Sequence, residues 1–152
     1  MTRPPKVTPF LWYDSDAEEA AEYYVSVIPD SRIVDVMRQG EATLLVTFQI
    51  GGVIFTAMNG GPGHPHTDAF SISVTCEDQA DVDRVWAALT DGGSEVACGW
   101  LKDRYGVSWQ VVPKQFYALM SAGTPEQSQR VMQAMMGMVK FDVAGLQAAF
   151  DG

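Results

Sequence analysis

The chain has 152 residues and a formal net charge of −9, with 47% apolar and 19% charged residues. This balance is typical of a folded domain with a hydrophobic core rather than of a disordered chain. The acidity disfavours nucleic-acid phosphates and anionic membrane surfaces as partners, and no apolar run is long enough to span a bilayer. Because no apolar stretch typical of a signal peptide follows the N-terminus, we expect a soluble, cytoplasmic protein.

The first sixty residues predict a strand, a helix and three further strands. Residues 6–13 are apolar and aromatic, which favours a strand. Residues 15–18 have the form of a capping box, and apolar residues at helical spacing follow until Pro29 ends the helix. Three strand candidates come next: 32–37, 43–50 and 53–58. Gly51-Gly52 indicates a hairpin turn between the last two.

The same order of elements returns after a segment rich in Gly, Pro and His at 59–67. Residues 69–76 alternate as a strand does, and Asp78 is placed to cap a second helix. The inner face of that helix carries Val82, Val85, Trp86 and Leu89. The candidates for the remaining strands are 95–98, the ambiguous 100–105, and 107–112. The repetition predicts an internally duplicated fold of two βαβββ modules.

A helical tail is predicted after Pro113. Thr124-Pro125 is a helix-start signal, and Asp142 is placed to cap a last helix. The tail contains a methionine cluster, for which core and dimer packing is favoured over a plastic binding surface: Met132, Met135, Met136 and Met138. We expect a single domain over 1–152, with module one at about 6–60, module two at about 68–113 and the tail at about 114–152.

Two cysteines, Cys76 and Cys98, lack the close spacing of a redox or zinc pair. We interpret them as buried, reduced thiols, the alternative being a nucleophile or a redox sensor.

Several phrases resemble the PhnB-like branch of the vicinal-oxygen-chelate (glyoxalase, bleomycin-resistance and dioxygenase) superfamily. They include Thr-Pro-Phe-Leu-Trp-Tyr at 8–13 and Cys-Gly-Trp-Leu-Lys-Asp-Arg-Tyr-Gly-Val-Ser-Trp-Gln at 98–110. The resemblance implies an α+β fold in which the two modules curl into a cupped mixed sheet around a cavity, and it implies a homodimer. Members of this branch also carry the label demethylubiquinone methyltransferase. The chain lacks the glycine-rich loop between a strand and a helix that nucleotide-type cofactors need.

In metal-dependent members of the superfamily, His, Glu or Gln side chains at the ends of equivalent strands bind a divalent ion. The resemblance places Thr8 at the first-strand position and Phe70 or Ser71 at its equivalent in module two. The last strand of module one has no carboxylate or imidazole, and Gln110 takes the position in module two. A hydroxyl and an amide are weak ligands for a transition metal, so no cofactor is predicted.

His64 and His66 are the alternative metal candidates. Their spacing would let them share an ion with Asp68, or one imidazole could act as a general acid or base. A solvent-exposed loop between modules is the interpretation we favour.

The cavity is predicted to have aromatic walls and a few oriented polar groups. The candidate walls are Trp12, Trp100 and Trp109. The candidate polar contacts are Thr8, Asn59 and Gln110. Lys102 and Asp103 are interpreted as a solvated pair of opposite charges.

The favoured function is a non-catalytic protein that binds a small molecule in an apolar cavity without the usual metal. The alternative is a divalent-metal-dependent lyase, isomerase or dioxygenase. A methyltransferase, which the family label suggests, is a third hypothesis. Fold alone does not choose among them.

Overall fold

The computed structural model of the protein describes residues 5–152. Module one contains β1 (Phe10–Tyr13), α1 (Ala17–Val27), β2 (Arg32–Gln39), β3 (Ala42–Ile50) and β4 (Val53–Asn59). Module two contains β5 (Ser71–Cys76), α2 (Gln79–Thr90), β6 (Ser94–Glu95), β7 (Trp100–Lys102) and β8 (Ser108–Pro113). The helical tail contains α3 (Lys114–Ala122), α4 (Pro125–Met136) and α5 (Val143–Asp151).

The two modules have the same sheet topology. Each is a mixed four-stranded sheet, in the order β1-β4-β3-β2 in module one and β5-β8-β7-β6 in module two. The first and last strands of each module pair in parallel, and the other pairs are antiparallel. The predicted α+β fold with duplicated βαβββ modules and a helical tail is therefore confirmed.

The chain divides into two compact units, one ending at His66 and the other running from Thr67 to Gly152. The helical tail belongs to the second unit. The expectation of a single domain over 1–152 stays a prediction. No helix among residues 5–152 is both long enough and apolar enough to cross a membrane.

Helix α1 covers one face of the first sheet with small and aromatic residues. The predicted inner positions Ala17, Ala20, Ala21 and Tyr24 are fully buried. The hydroxyl of Tyr24 lies 2.9 Å from the hydroxyl of Tyr13 on β1, so these two buried polar groups satisfy each other. The stacked rings of Phe48 and Phe55, with centroids 5.7 Å apart, complete this core.

The predicted capping box at the start of α1 is wrong. Asp16 is the N-cap residue, but its side chain makes no capping hydrogen bond. The backbone N–H of Ala17 instead donates to Oδ1 of Asn59, 2.8 Å away. The carboxylate of Glu18 accepts hydrogen bonds from Thr43 and Arg38, which lower its pKa, the Thr43 hydroxyl having the larger effect. Partners distant in sequence thus replace the local cap.

Module two is organised around a buried carboxylate, and the predicted solvated Lys102–Asp103 pair is wrong. Asp103 is only 3% exposed. Its Oδ1 accepts hydrogen bonds from the backbone N–H groups of Tyr105 and Val107, at 2.8 and 3.1 Å. Its Oδ2 accepts the indole N–H of Trp109 at 2.9 Å. The carboxylate therefore joins the β7–β8 turn to the core of the module.

Cys98 and Gly99 turn the chain between β6 and β7. Their φ angles are 56° and 81°, so the predicted strand over 95–98 ends early, at Glu95. Their N–H groups donate to the carbonyl oxygens of Met138 and Val139, each at 2.8 Å. The segment before α5 is thereby attached to the edge of module two.

Local caps start the two tail helices that the sequence predicts. Thr124 forms a capping box with Gln127, and Asp142 accepts the N–H of Ala144. In the methionine cluster, Met132 is 41% and Met136 is 68% exposed, so neither packs in the core of this chain, and packing in a dimer stays a prediction. The residue of α4 that is fully buried is Val131.

The two cysteines differ in their environments. Cys76 is fully buried, and desolvation raises the pKa of its thiol to about 12, which suppresses the reactive thiolate. Cys98 is half-buried, so the expectation of two buried thiols holds for Cys76 and is wrong for Cys98.

Candidate functional site

Each sheet has one face against its helix and a second face directed away from it. Residues paired in register on neighbouring strands share a face, which allows the candidate residues to be assigned. In module one, Leu11 and Tyr13 lie on the face against α1. In module two, Leu101 and Trp109 pair in register and are fully buried on the face against α2. We call the other two faces the distal face of module one and the distal face of module two.

An apolar row crosses the distal face of module one. The register pairs its four members across all four strands: Trp12, Met58, Leu45 and Met37. The indole N–H of Trp12 donates to the carbonyl oxygen of Gly61 at 2.9 Å, and its ring lies 4.3 Å from the ring of His64. The glycine- and histidine-containing loop is therefore packed against the end of this row.

Thr8, the first-strand candidate, forms a hydroxyl pair with Thr56 on β4. Their Oγ1 atoms are 3.2 Å apart, and both residues are half-buried. Module two has the equivalent pair: Nε2 of Gln110 on β8 donates to Oγ of Ser71 on β5 at 2.9 Å. The register shows that the two pairs are equivalent. The residue two positions after Thr8 pairs with Thr56, and the residue two positions after Ser71 pairs with Gln110. Ser71, rather than Phe70, is thus the counterpart of Thr8.

Trp100 is the aromatic neighbour of Gln110. The two residues pair directly across β7 and β8 and are both half-buried on the distal face of module two. The hydrogen bond to Ser71 orients the Gln110 amide, and its Oε1 is left to accept another donor. Trp100, Gln110 and Ser71 therefore form a small cluster with one aromatic surface and several hydrogen-bonding groups.

Trp109 lies on the opposite face from this cluster. Its side chain is fully buried against α2 and donates its indole N–H to Asp103. The alternation along β8 separates it from Gln110, so the structure does not bring these two candidates together. Trp109 contributes to the core of module two.

Both polar atoms of the Asn59 side-chain amide form hydrogen bonds within module one. Oδ1 accepts from Ala17, and Nδ2 donates to the carbonyl oxygen of Thr43 at 3.1 Å. Asn59 also lines an open pocket of about 420 Å³ beside the start of α1. The other lining residues are Ser15, Glu18, Gln39, Ala42, Thr43 and Leu44. This pocket could not be predicted from the sequence, because its walls come from three separated segments.

The two candidate histidines contact different aromatic rings rather than each other. His64 packs against Trp12, and the ring of His66 lies 5.2 Å from that of Tyr13. Nε2 of His66 is shielded from solvent and has no hydrogen-bond partner among residues 5–152. Within the same range, no three His, Cys, Asp or Glu side chains gather as a metal site would require.

The sequence resemblance assigns three strand positions to metal ligands, and the register makes Thr56 the module-one equivalent of the third, Gln110. Together the four positions carry three hydroxyls and one amide. These are Thr8, Thr56, Ser71 and Gln110. Each hydroxyl or amide is paired with its neighbour in the same module. Neutral hydroxyl and amide oxygens are weak ligands for transition metals, so this donor set does not fit such an ion. Thr56 is not among the residues predicted from the sequence, although its alternation with the buried Phe55 and Ala57 is a usable signal for the distal face.

Two βαβββ modules, each with its helix on one face of a mixed sheet, define the vicinal-oxygen-chelate class of protein. Two solved structures with low identity share the fold of the chain. Protein PA1353 from Pseudomonas aeruginosa is 20% identical, with 72% of this chain and 98% of that chain covered and a TM-score of 0.62. Fosfomycin resistance protein FosX from Mesorhizobium loti is 16% identical, with 73% and 92% covered and a TM-score of 0.54.

The chain belongs to the 3-demethylubiquinone-9 3-methyltransferase family, which matches residues 5–112. This family is the PhnB-like branch of the superfamily. The PhnB protein from Bacillus cereus is 32% identical, with 72% of this chain and 99% of that chain covered and a TM-score of 0.67. No curated protein matches the chain. The helical tail from Lys114 onward lies outside the family match.

Proposed function

We propose that the chain is a small-molecule-binding protein of the vicinal-oxygen-chelate superfamily, and that it binds its ligand without the usual metal. The observation that carries the proposal is the cluster on the distal face of module two. Trp100 offers a planar apolar surface, and Gln110, oriented by Ser71, offers an amide oxygen beside it. An aromatic wall with a few oriented polar groups is the usual composition of a small-molecule site.

Thr8, Trp12 and Asn59 are proposed as contacts of module one. Trp12 and the Thr8–Thr56 pair lie on its distal face, whereas Asn59 lies at the pocket beside α1. Since Asn59 already bonds the start of α1 and β3, a ligand in that pocket would meet an amide whose position is fixed. The homodimer and the cytoplasmic location also stay predictions.

Gln110→Ala is expected to weaken ligand binding about fivefold, the effect of losing one hydrogen bond. The probes are benzoate and benzamide, two planar molecules that differ in charge. Binding is followed through the ¹⁵N-edited indole N–H signal of Trp100, which is assigned by its absence in Trp100→Phe. Gln133→Ala, on the exposed surface of α4, is the matched control and should leave the affinity unchanged. Equal binding by the wild type and Gln110→Ala would remove Gln110 from the site.

The second candidate function is a divalent-metal-dependent enzyme of the same superfamily. The observation that favours it is the presence of His64 and His66 on one loop beside Trp12 and Tyr13. We expect elemental analysis of protein purified without an affinity tag to find no stoichiometric transition metal, because the available donors are poor ligands. Stoichiometric zinc, nickel, iron or manganese would contradict the metal-free proposal.

A methyltransferase activity is suggested by the family name alone. The turns that lead from β1 into α1 and from β5 into α2 contain Asp14-Ser15-Asp16 and Glu77-Asp78. Neither turn has the glycines that let a backbone approach a nucleotide-type cofactor closely. We therefore do not extend the family name to the activity of this chain.

A further inference from the structure

Lys102 lies on the distal face of module two with no partner of opposite charge. It occupies β7 two residues after Trp100, so both side chains leave the strand on the same face. Among residues 5–152, no ion pair or hydrogen bond involves its ammonium group. The side chain is exposed and accessible to a ligand.

The carboxylate next to it in sequence is unavailable. Asp103 is buried, and its two oxygens accept hydrogen bonds from Trp109 and from the turn that follows β7. The adjacent opposite charges of Lys102 and Asp103 therefore do not form a pair. Burial of Asp103 leaves Lys102 as a cation that can attract an anion.

The strand positions that share the distal face with Lys102 carry no acidic side chain. The register brings hydroxyls and an amide onto this face from β5 and β8: Ser71, Ser73, Thr75, Ser108 and Gln110. Glu95 of β6 pairs with Leu101 on the face against α2 and accepts the indole N–H of Trp86. In a chain with 19 acidic and 10 basic residues, the strands of this surface contribute a cation and no carboxylate. Such a surface favours anionic ligands.

We propose that Lys102 is a specificity-determining residue that selects planar anionic ligands, such as aromatic carboxylates, at this site. The ring stacks on Trp100, the anionic oxygen meets the ammonium of Lys102, and the Gln110 amide supplies a hydrogen bond. The inference deepens the proposed function and rests on it. A neutral isostere of the same shape retains the ring contact and loses the charge interaction.

The test compares benzoate with benzamide at low ionic strength, again through the indole N–H signal of Trp100. Wild-type protein is expected to bind benzoate about three- to fivefold more tightly than benzamide, as an exposed charge pair allows. Lys102→Gln should bring the two affinities together, Lys102→Arg should retain the preference, and high salt should reduce it in the wild type. Because Lys102 is exposed, the thermal unfolding of Lys102→Gln should match that of the wild type.

Lys140→Gln is the matched control, since it removes the same charge from a residue that pairs with Asp83 on α2. It should leave the preference for benzoate intact. Equal wild-type affinities for the two probes, with both weakened by Gln110→Ala, would overturn the role of Lys102 while the proposed site stands. If neither probe shifts the Trp100 signal, the ligand class and the proposed site both fail. If Lys140→Gln abolishes the preference for benzoate and Lys102→Gln does not, the selectivity arises at another surface and the role of Lys102 is overturned.

Discussion

Asp103→Asn is expected to lower the free energy of unfolding by about 3 kcal/mol, because it places a donor where only acceptors fit. Both carboxylate oxygens of Asp103 accept N–H groups, Oδ2 from Trp109 and Oδ1 from Tyr105 and Val107. Either orientation of the asparagine amide would direct its NH₂ group at one of these donors. Since Asp103 is only 3% exposed, water cannot relieve the conflict. Urea unfolding followed by circular dichroism measures the change.

The matched control is Asp91→Asn. Asp91 pairs with Arg104 through a side chain that is 79% exposed, and exposed pairs contribute about 0.5 kcal/mol. We expect its unfolding midpoint to stay close to that of the wild type. Equal, small effects of the two substitutions would contradict the structural role of the buried carboxylate.

Gly99→Ala is expected to destabilise the protein by about 3 kcal/mol or more through steric conflict and an unfavourable backbone angle. An added Cβ would lie 2.3 Å from the ring of Phe141 and 3.0 Å from the carbonyl oxygen of Val111. Phe141 is buried and packs edge-to-face on Phe116, so its ring has little room to move. The substitution should therefore loosen the attachment of the helical tail to module two. Thermal unfolding and hydrogen exchange in α5 measure the two effects.

Gly106→Ala separates the steric effect from the backbone effect. Gly106 has a φ of 86°, close to the 81° of Gly99, but an added Cβ would have nothing within 4 Å. Its substitution should cost only about 1 kcal/mol, the penalty for a left-handed backbone angle in a residue with a side chain. A loss at Gly99 no larger than that at Gly106 would show that the contact with Phe141 does not hold the tail in place.

The tail that these contacts anchor lies outside the family match. The family match ends at residue 112, and α3 to α5 follow it. Gln79 of α2 donates to the carbonyl oxygen of Phe141 and accepts the N–H of Val143, at 3.0 and 2.7 Å. These bonds and the backbone hydrogen bonds of Cys98 and Gly99 all reach the segment before α5. The start of α3 makes a second contact, since Lys114 and Gln115 both donate to Glu77.

Features with local physical causes could be predicted from the sequence. The caps formed by Asp78, Thr124 and Asp142 are satisfied within three residues of each cap, and all three predictions are confirmed. The buried face of α2 follows from helical periodicity alone. The Gly51-Gly52 turn is confirmed with φ angles of 53° and 86°, which few other residues adopt. The duplicated modules follow from the repetition of such elements.

Features that depend on how the strands pair could not be predicted in this way. Residues 15–18 have the form of a local cap, yet the side-chain oxygen of Asn59 accepts the free backbone N–H of Ala17. The Glu18 carboxylate accepts hydrogen bonds from Arg38 and Thr43 instead. Lys102 and Asp103 have the form of a solvated pair, yet folding buries the carboxylate between Trp109 and a turn. In each case the competing partner lies within reach only in the paired strands of the folded chain.

In the candidate site, too, some features follow from the local sequence pattern and others only from the tertiary structure. From the sequence, Trp100 is predicted as an aromatic wall of the site and Gln110 as a polar contact. The family resemblance places Gln110 at a ligand position. The register between β7 and β8 then places them side by side, whereas Trp109 goes to the other face and Ser71 arrives from β5 to orient the amide. Alternation within one strand is visible in a sequence, but the neighbour across the sheet depends on register, which the folded chain alone establishes.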